Sequence, residues 1–258
     1  MKRVVIISDL HCGHKAGLTH PDWNPIYSTH SPKYRGYRQR SVLWKFYASA
    51  AKELQPIDVL IVNGDAVDGK GKKSGGTELL TSDRDEQSDM AIAAIEEMAA
   101  GKVFMAYGTP YHTGNSEDFE NLVAKGAKAQ IKGRDWLDVN GVVFDYRHWV
   151  GRSSIPHGRY TPLAKEKLWS GLEAEHGEYP KSDVILRSHV HYLAYCGGYG
   201  WLGVITPSLQ GSSKYGERQV SGTVDFGVVW FDINDRKDWS WHYKILKLRH
   251  AQRRVTKA

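Results

Sequence analysis

The chain has 258 residues, enough to bury a substantial core in one domain, and with 41% hydrophobic and 25% charged residues its composition is that of a folded globule. The first apolar run is closed by Ser8 and Asp9, too short for a signal-peptide core or a membrane span, and two cysteines, Cys12 and Cys196, exclude a disulfide framework, so a cytoplasmic protein with no membrane partner is expected. The net charge of +6 sits at the end of the chain, where Lys244, Lys247, Arg249, Arg253, Arg254 and Lys257 occur without an acid.

In chain order, short β-branched runs at "RVVIIS", "DVLIVN", "KVFMAY", "VVFDYR" and "DVILRS" predict buried strands, each followed by a polar or glycine-rich loop. Helices are predicted over Ser41–Leu54, over "SDMAIAAIEEMAAG" ending at Gly101, and from Thr161, as N-cap with Pro162 next, to Gly177. Strand alternating with helix argues for an α/β layered core. The C-terminal third changes character: "YLAYCGGYGWLGVIT", "GTVDFGVVWFDI" and "WSWHYKILKL" lack intervening helices and predict antiparallel strands. Trp239, Trp241, Tyr243 and Ile245 alternate there and are expected to share a packed face. The expected organisation is a single domain over residues 1–243, sheet on sheet with flanking helices, followed by a basic strand end and tail over 244–258. That tail fits a nucleic-acid contact or a solvated terminus, and "SPKYRGYRQR" (Ser31 to Arg40) is a second basic, aromatic stretch able to meet a polyanion.

Each predicted buried strand is followed by an acid or a histidine: Asp9 and His11, then Asp65, His112, His148, and the pair His189 and His191. A lone histidine at a strand end is ordinarily a hydrogen-bonded packing residue. Separate strand ends that deliver only carboxylates and imidazoles are a different matter, because α/β sheets bind ligands at those ends. Residues i and i+2 of an extended segment project to one side, so Asp9 with His11, and His189 with His191, can each converge on a small volume. Carboxylate with imidazole suits Mn²⁺ foremost, with Fe, Zn²⁺ and Ni²⁺ as further fits, and is unlike the oxygen cage of Ca²⁺.

These blocks, Asp9-Leu10-His11, Gly64-Asp65-Ala66-Val67-Asp68, an altered third block at Gly108, His148 and Ser188-His189-Val190-His191, resemble in order the D-x-H, G-D-x-x-D, G-N-H, H and G-H-x-H blocks of the calcineurin-like metallophosphoesterases. The resemblance implies a β-sandwich flanked by helices and a two-metal centre. It assigns Asp9, His11 and His191 to the first ion, His148 and His189 to the second, and Asp65 to both. Two cations about 3.5 to 4 Å apart can bind phosphate oxygens, generate hydroxide and offset the leaving oxygen's charge.

Two blocks depart from the pattern. Ser188 replaces a glycine, small for small. In the third block Thr109 stands where the family has a metal-ligating asparagine, and the histidine arrives only at His112, a G-T-x-x-H form similar to that of several phage-encoded members. Thr109 can offer a hydroxyl to a metal or shape the turn; His112 can protonate the leaving group, the favoured role, or ligate the second metal; Asn115 is a further ligand candidate. Arg147, Arg152 and Arg159 are candidates for clamping phosphate oxygens. "GDAVDGKG" imitates a P-loop, but Gly71 replaces the required Ser or Thr and two acids would repel phosphate. Cys12 and the remaining histidines, His14, His20, His30, His157, His176, His242 and His250, carry no motif, although His14 and His157 lie near enough to the site loops to touch substrate.

The expected function is therefore metal-dependent hydrolysis of phosphate esters by metal-activated hydroxide, with phosphodiesters of nucleic acid or nucleotides favoured by the basic stretches. The competing expectations are a phosphomonoesterase and a binding module of the same fold that has lost catalysis. The residues set no oligomeric state.

Overall fold

The computed structural model describes residues 1–31, 33–113, 118–153, 155–213 and 224–248. Strand β1 (Lys2–Ile7) lies at the centre. Val4 and Ile6 face a core between two sheets, whereas Val5 and Ile7 face a layer of helices. A strand covered on both sides needs an unbroken apolar run, which is what "VVII" supplies. Strands β2 (Val59–Asn63), β3 (Lys102–Ala106) and β4 (Gln130–Lys132) continue in parallel from β1 on one side. Strands β10 (Phe226–Ile233) and β11 (Trp239–Leu246) continue antiparallel on the other, giving the order β11-β10-β1-β2-β3-β4.

The second sheet comprises β5 (Asp135–Val139), β6 (Val142–Tyr146), β7 (Val184–Arg187), β8 (Ala194–Gly198) and β9 (Trp201–Ile205), in the order β5-β6-β7-β9-β8. The sheets pack face to face, with Phe144 and Phe231 meeting edge to face across the interface at 5.1 Å. Helices α1 (Tyr34–Glu53), α2 (Arg84–Glu97) and α4 (Glu120–Gly126) contribute to the core on the outer face of the first sheet. A single turn, α3 (Pro110–Thr113), follows β3, and α5 (Thr161–Glu175) places Leu163 against Ile205 of the second sheet. The layers run helix, sheet, sheet, helix, as expected. No helix among the described residues is long and apolar enough to cross a membrane.

Several elements differ from the expectation. The C-terminal strands are not one antiparallel unit: β8 and β9 form a hairpin in the second sheet, β9 pairs in parallel with β7, and β10 and β11 return to the first sheet. Helix α1 starts at Tyr34, so the basic stretch before Ser41 is helical. Its Arg40 is buried, donating from Nε to Asn24 Oδ1 at 2.9 Å, and so leaves the exposed basic surface. Helix α2 starts at Arg84 because Asp83 caps it, its carboxylate accepting from the amides of Asp85 and Glu86. Thr161 is the first residue of α5 and not its cap, since a 3₁₀ turn over Pro156–Tyr160 leads directly into the helix. The aromatic stripe of β11 packs only at its start: Trp239 and Trp241 lie against the inter-sheet core beside Phe231, whereas Tyr243 is exposed, its ring against Tyr195 and Trp241 at the sheet edge. Of the basic tail, Lys244 pairs with Glu53, while Arg249, Arg253, Arg254 and Lys257, with His250, lie outside the described residues.

Candidate metal centre

The first two motif blocks are joined by backbone pairing that outlasts the strands. Beyond β1 and β2, Asp9 donates its amide to the Gly64 carbonyl, His11 to Asp65 and Cys12 to Ala66, each at 3.0 Å. The side chains are aimed by left-handed turns and not by extended backbone. Among the described residues, eight non-glycine residues have positive φ, and five of them are Asp9 (51°), His11 (45°), Asp65 (52°), His189 (75°) and His191 (59°). Such conformations are costly for side chains with a Cβ and concentrate at functional sites. Glycine is required beside them. Gly64 has φ 81°, and a Cβ there would lie 2.6 Å from Cγ of His148; a Cβ on Gly108 would lie 2.2 Å from Oδ1 of Asp65.

The ligand atoms gather in two main groups. Asp9, His11 and His191 each offer an atom within 4.8 Å of the others, as do Asp65, His148 and His189. The Asp9–His11 pair thus converges as the sequence suggests, whereas His189 and His191 diverge, one to each group. Nε2 of His11 and Nε2 of His191 lie 3.3 Å apart. This is about the 3.3 Å that separates two nitrogens on adjacent corners of one tetrahedral cation, given metal–nitrogen bonds of about 2.0–2.1 Å. Asp9 Oδ1 lies 3.1 Å from His191 Nε2, and Asp65 Oδ2 lies 3.0 Å from His148 Nε2. Nevertheless Asp9 Oδ1 and His148 Nε2 are fully buried and have no hydrogen-bond partner among the described residues. Buried polar atoms are ordinarily satisfied, so two orphans aimed into the same cluster fit cation ligands.

The imidazoles are set up as ligands from behind. His11 donates from Nδ1 to Asp68 Oδ1 at 3.0 Å and His148 from Nδ1 to the Asn63 carbonyl at 2.7 Å, so in both Nε2 is the nitrogen turned to the site and available for ligation. Asn63 in turn donates to the Ser188 hydroxyl at 2.7 Å, which gives Ser188 a use that glycine lacks. The electrostatics ask for positive charge. Burial would raise the carboxyl pKa of Asp65, but His148 and His112 hold it well below the ordinary range; Asp9 is likewise held down by His191 and His148 against burial. Burial opposes a proton on His148, yet Asp65 and Asp9 push its pKa up to about 10. His189 goes the other way, to about 4, through burial and the charge on His148. Without a cation, the buried carboxylates draw a proton onto His148. The donor set, the orphaned atoms and this charge imbalance together fit a dinuclear metal site.

The third block supports Asp65. Thr109 donates its amide to Asp65 Oδ1 at 2.7 Å and its hydroxyl to the same carboxylate at 3.1 and 3.3 Å. His112, on the α3 turn, sits edge-on to His11 with ring centroids 4.5 Å apart, and donates from Nδ1 to the Asp68 carbonyl at 2.9 Å. It also offers an atom within 4.8 Å of those of His11 and Asp65. Burial lowers its pKa, with Asp65 and Asp68 opposing. Asn115 lies outside the described residues.

The arginines are differently placed. Arg147 donates from one terminal nitrogen to both carboxylate oxygens of Glu166, at 2.9 and 2.8 Å, within a network that includes fully buried Arg187 and Asp145. Arg159 stacks over Tyr192, next to His191, at 4.5 Å. Arg152, exposed, acts electrostatically on the same Tyr192 hydroxyl. Of the unassigned histidines, His14 is buried and accepts from the Ala16 amide, His20 caps the turn at Pro21–Trp23, His242 stacks on Trp230, and His157 is exposed. Cys12 is buried, with its thiol pKa raised by burial and by Asp68. The P-loop imitation is dismissed by position, since Asp68 turns its carboxylate to His11. Two residues gained no role from the sequence. Asp68 was visible in its block; Glu120, buried beneath Asp65, had no signal in a lone acid at the start of a short helix.

The sequence profile of the calcineurin-like phosphoesterases matches residues 2–203. No curated protein sequence matches the chain. Among solved structures, it is similar to an archaeal phosphodiesterase at 13% identity, covering 95% of this chain and 99% of that one, with a TM-score of 0.48. It is similar also to Vps29 from Chaetomium thermophilum at 9% identity, covering 95% and 97%, TM-score 0.46. Zinc-complexed Vps29 from Entamoeba histolytica matches at 13% identity, covering 94% and 98%, TM-score 0.41.

Proposed function

The chain belongs to the calcineurin-like phosphoesterase family, and from that premise we propose that it is a dinuclear metal-dependent phosphoesterase acting on phosphodiesters of nucleic acid or nucleotides. The observation that carries the proposal is the pair of orphaned, buried atoms, Asp9 Oδ1 and His148 Nε2, facing each other's carboxylate and imidazole groups. Asp9, His11 and His191 would hold one divalent cation, His148 and His189 a second, with Asp65 shared between them and Mn²⁺ the first choice of metal. Cations there supply charge for phosphate oxygens and acidify a water, the chemistry that phosphoester hydrolysis requires.

The chain's own groups do the rest. Asp68 fixes His11 through its carboxylate and His112 through its carbonyl, so one residue orients a ligand and the proposed acid together. With Nδ1 engaged, Nε2 of His112 is the nitrogen able to carry a proton to the leaving oxygen; burial lowers its pKa, so the acid form gains population as pH falls. Thr109 spends its amide and hydroxyl on Asp65, steadying the shared carboxylate. Arg152 and Arg159, beside Tyr192, are the proposed phosphate contacts, and Arg147, committed to Glu166, drops out of that role.

The proposed substrate class draws support from where the basic tail starts. Leu246 of β11 is opposite Phe226, and the neighbouring Asp225 donates its amide to the His191 carbonyl at 2.9 Å. The end of β11, where the basic residues begin, therefore lies at the site end of the sandwich, which supports a polyanionic substrate. Both cysteines are free, in keeping with a cytoplasmic setting. The test is turnover of a chromogenic phosphodiester and a chromogenic phosphomonoester by metal-stripped protein, with and without Mn²⁺. Faster Mn²⁺-dependent cleavage of the diester is expected; preference for the monoester would make the chain a phosphatase, and no turnover of either would leave a binding module.

A further inference from the structure

Glu120 is the first residue of α4, twelve residues beyond Gly108 and fifty-four beyond Ala66, yet it reaches both. Its Oε1 accepts the Ala66 amide at 2.7 Å and its Oε2 the Gly108 amide at 2.6 Å. The side chain is completely buried. No lysine or arginine pairs with it in the ion pairs among the described residues, which is unusual for a buried acid. Burial first, then the charge of Asp65, push its pKa up, while the two amides favour the ionised form that accepts from both.

The two amides flank the shared carboxylate. Ala66 follows Asp65 directly, and Gly108 precedes Thr109, whose amide and hydroxyl grip Asp65. The left-handed backbone of Asp65, φ 52°, needs a support that does not relax. Gly108 already lies so close to Asp65 Oδ1 that the two loops have no room to drift together. A carboxylate with two acceptor oxygens can satisfy both N–H groups at once, whereas an amide turns its NH₂ toward one of them.

We infer that Glu120 is the positioning residue for Asp65: it ties the second and third motif blocks together and thereby fixes the carboxylate proposed to be shared by two cations. The inference rests on the metal reading given above. Its test is Glu120→Gln, with Mn²⁺ affinity measured by calorimetry on metal-stripped protein. The expected result is about 10- to 100-fold weaker Mn²⁺ binding, the usual effect of removing a support behind a metal ligand. Raising Mn²⁺ should then restore kcat on the phosphodiester with KM unchanged, which a merely structural defect would not allow. Affinity within two-fold of wild type in a folded variant would overturn the inference. So that a variant that fails to fold still leaves an answer, amide NMR of the wild-type protein provides a second measurement. The amide protons of Ala66 and Gly108 should be shifted downfield and protected from exchange; free exchange at both would refute the clamp. The failures are distinguishable. Weakened Mn²⁺ binding by the variant without esterase turnover in the wild type would sink only the enzyme reading, whereas wild-type turnover with unweakened Mn²⁺ binding by the variant would sink only the role of Glu120.

Discussion

Filling this site should release protons. His148 has its Nδ1–H committed to the Asn63 carbonyl, so ligation requires the lone pair of Nε2. In the metal-free protein that nitrogen is protonated, because Asp65 and Asp9 raise the pKa to about 10 against burial. At pH 7 the proton is held about three pH units below its pKa, and displacing it takes about 4 kcal/mol from the gross affinity for the cation. Apparent Mn²⁺ affinity should therefore climb about tenfold per pH unit between roughly pH 7 and 9 and flatten as pH passes the pKa. His11, whose pKa is also raised, by Asp68 and Asp65 against burial, adds to the count; His189, at about 4, adds nothing above pH 6. Calorimetric Mn²⁺ titrations at pH 7 in buffers of different ionisation enthalpy give the number directly. At least one proton per protein filled with two ions is expected. Release of less than half a proton, with binding independent of pH, would refute the electrostatic reading of the cluster.

Three substitutions probe other links. His112→Asn should keep both cations and lose about 10²- to 10⁴-fold in rate on esters with poor leaving groups, with little loss on good ones; loss of a cation instead would make His112 a ligand. Gly108→Ala puts a Cβ where Asp65 Oδ1 lies, 2.2 Å away, and should weaken Mn²⁺ binding in calorimetry at least tenfold while circular dichroism still reports a folded protein. Arg187→Met leaves Asp145 and Glu166 short of a buried partner and should cost about 3–5 kcal/mol in urea unfolding.

Much of the fold was legible because β1 and β2 are covered on both faces and so read as continuous apolar runs. The parallel pairing of β9 was not, because a hairpin sequence such as "YCGGYGWL" fixes its own two strands and says nothing about the sheet that receives them. The ligand residues were legible as types at strand ends. Their geometry differs: Asp9 and His11 converge as the pattern predicts but through left-handed turns in place of extended backbone, and the same kind of turn aims His189 and His191 apart. That difference explains how His189 and His191, two residues apart, can serve separate groups. Glu120 stayed hidden for another reason, since its role exists only through a contact fifty-four residues away.

The same turns make the bare site a weak point in a rigid scaffold. Five ligand residues at positive φ cost on the order of 1 kcal/mol each, about 5 kcal/mol together, comparable with the low end of the net stability of a whole domain. Asp9 Oδ1 and His148 Nε2, buried without a hydrogen-bond partner among the described residues, add a desolvation cost that the neighbouring His191 and Asp65 offset only in part. A ligand that binds only the folded state recovers stability by mass action, about 2.7 kcal/mol at a hundredfold excess over its Kd. For a domain approaching this length that corresponds to a rise in Tm of roughly 5–10 °C. Thermal unfolding of metal-stripped protein, repeated across Mn²⁺ concentrations, should show Tm climbing with the logarithm of Mn²⁺, while Ca²⁺, which prefers an all-oxygen cage, moves it far less. An equal rise with Ca²⁺ would mean that the carboxylates alone bind the ion, and that the imidazoles facing them are packing residues after all.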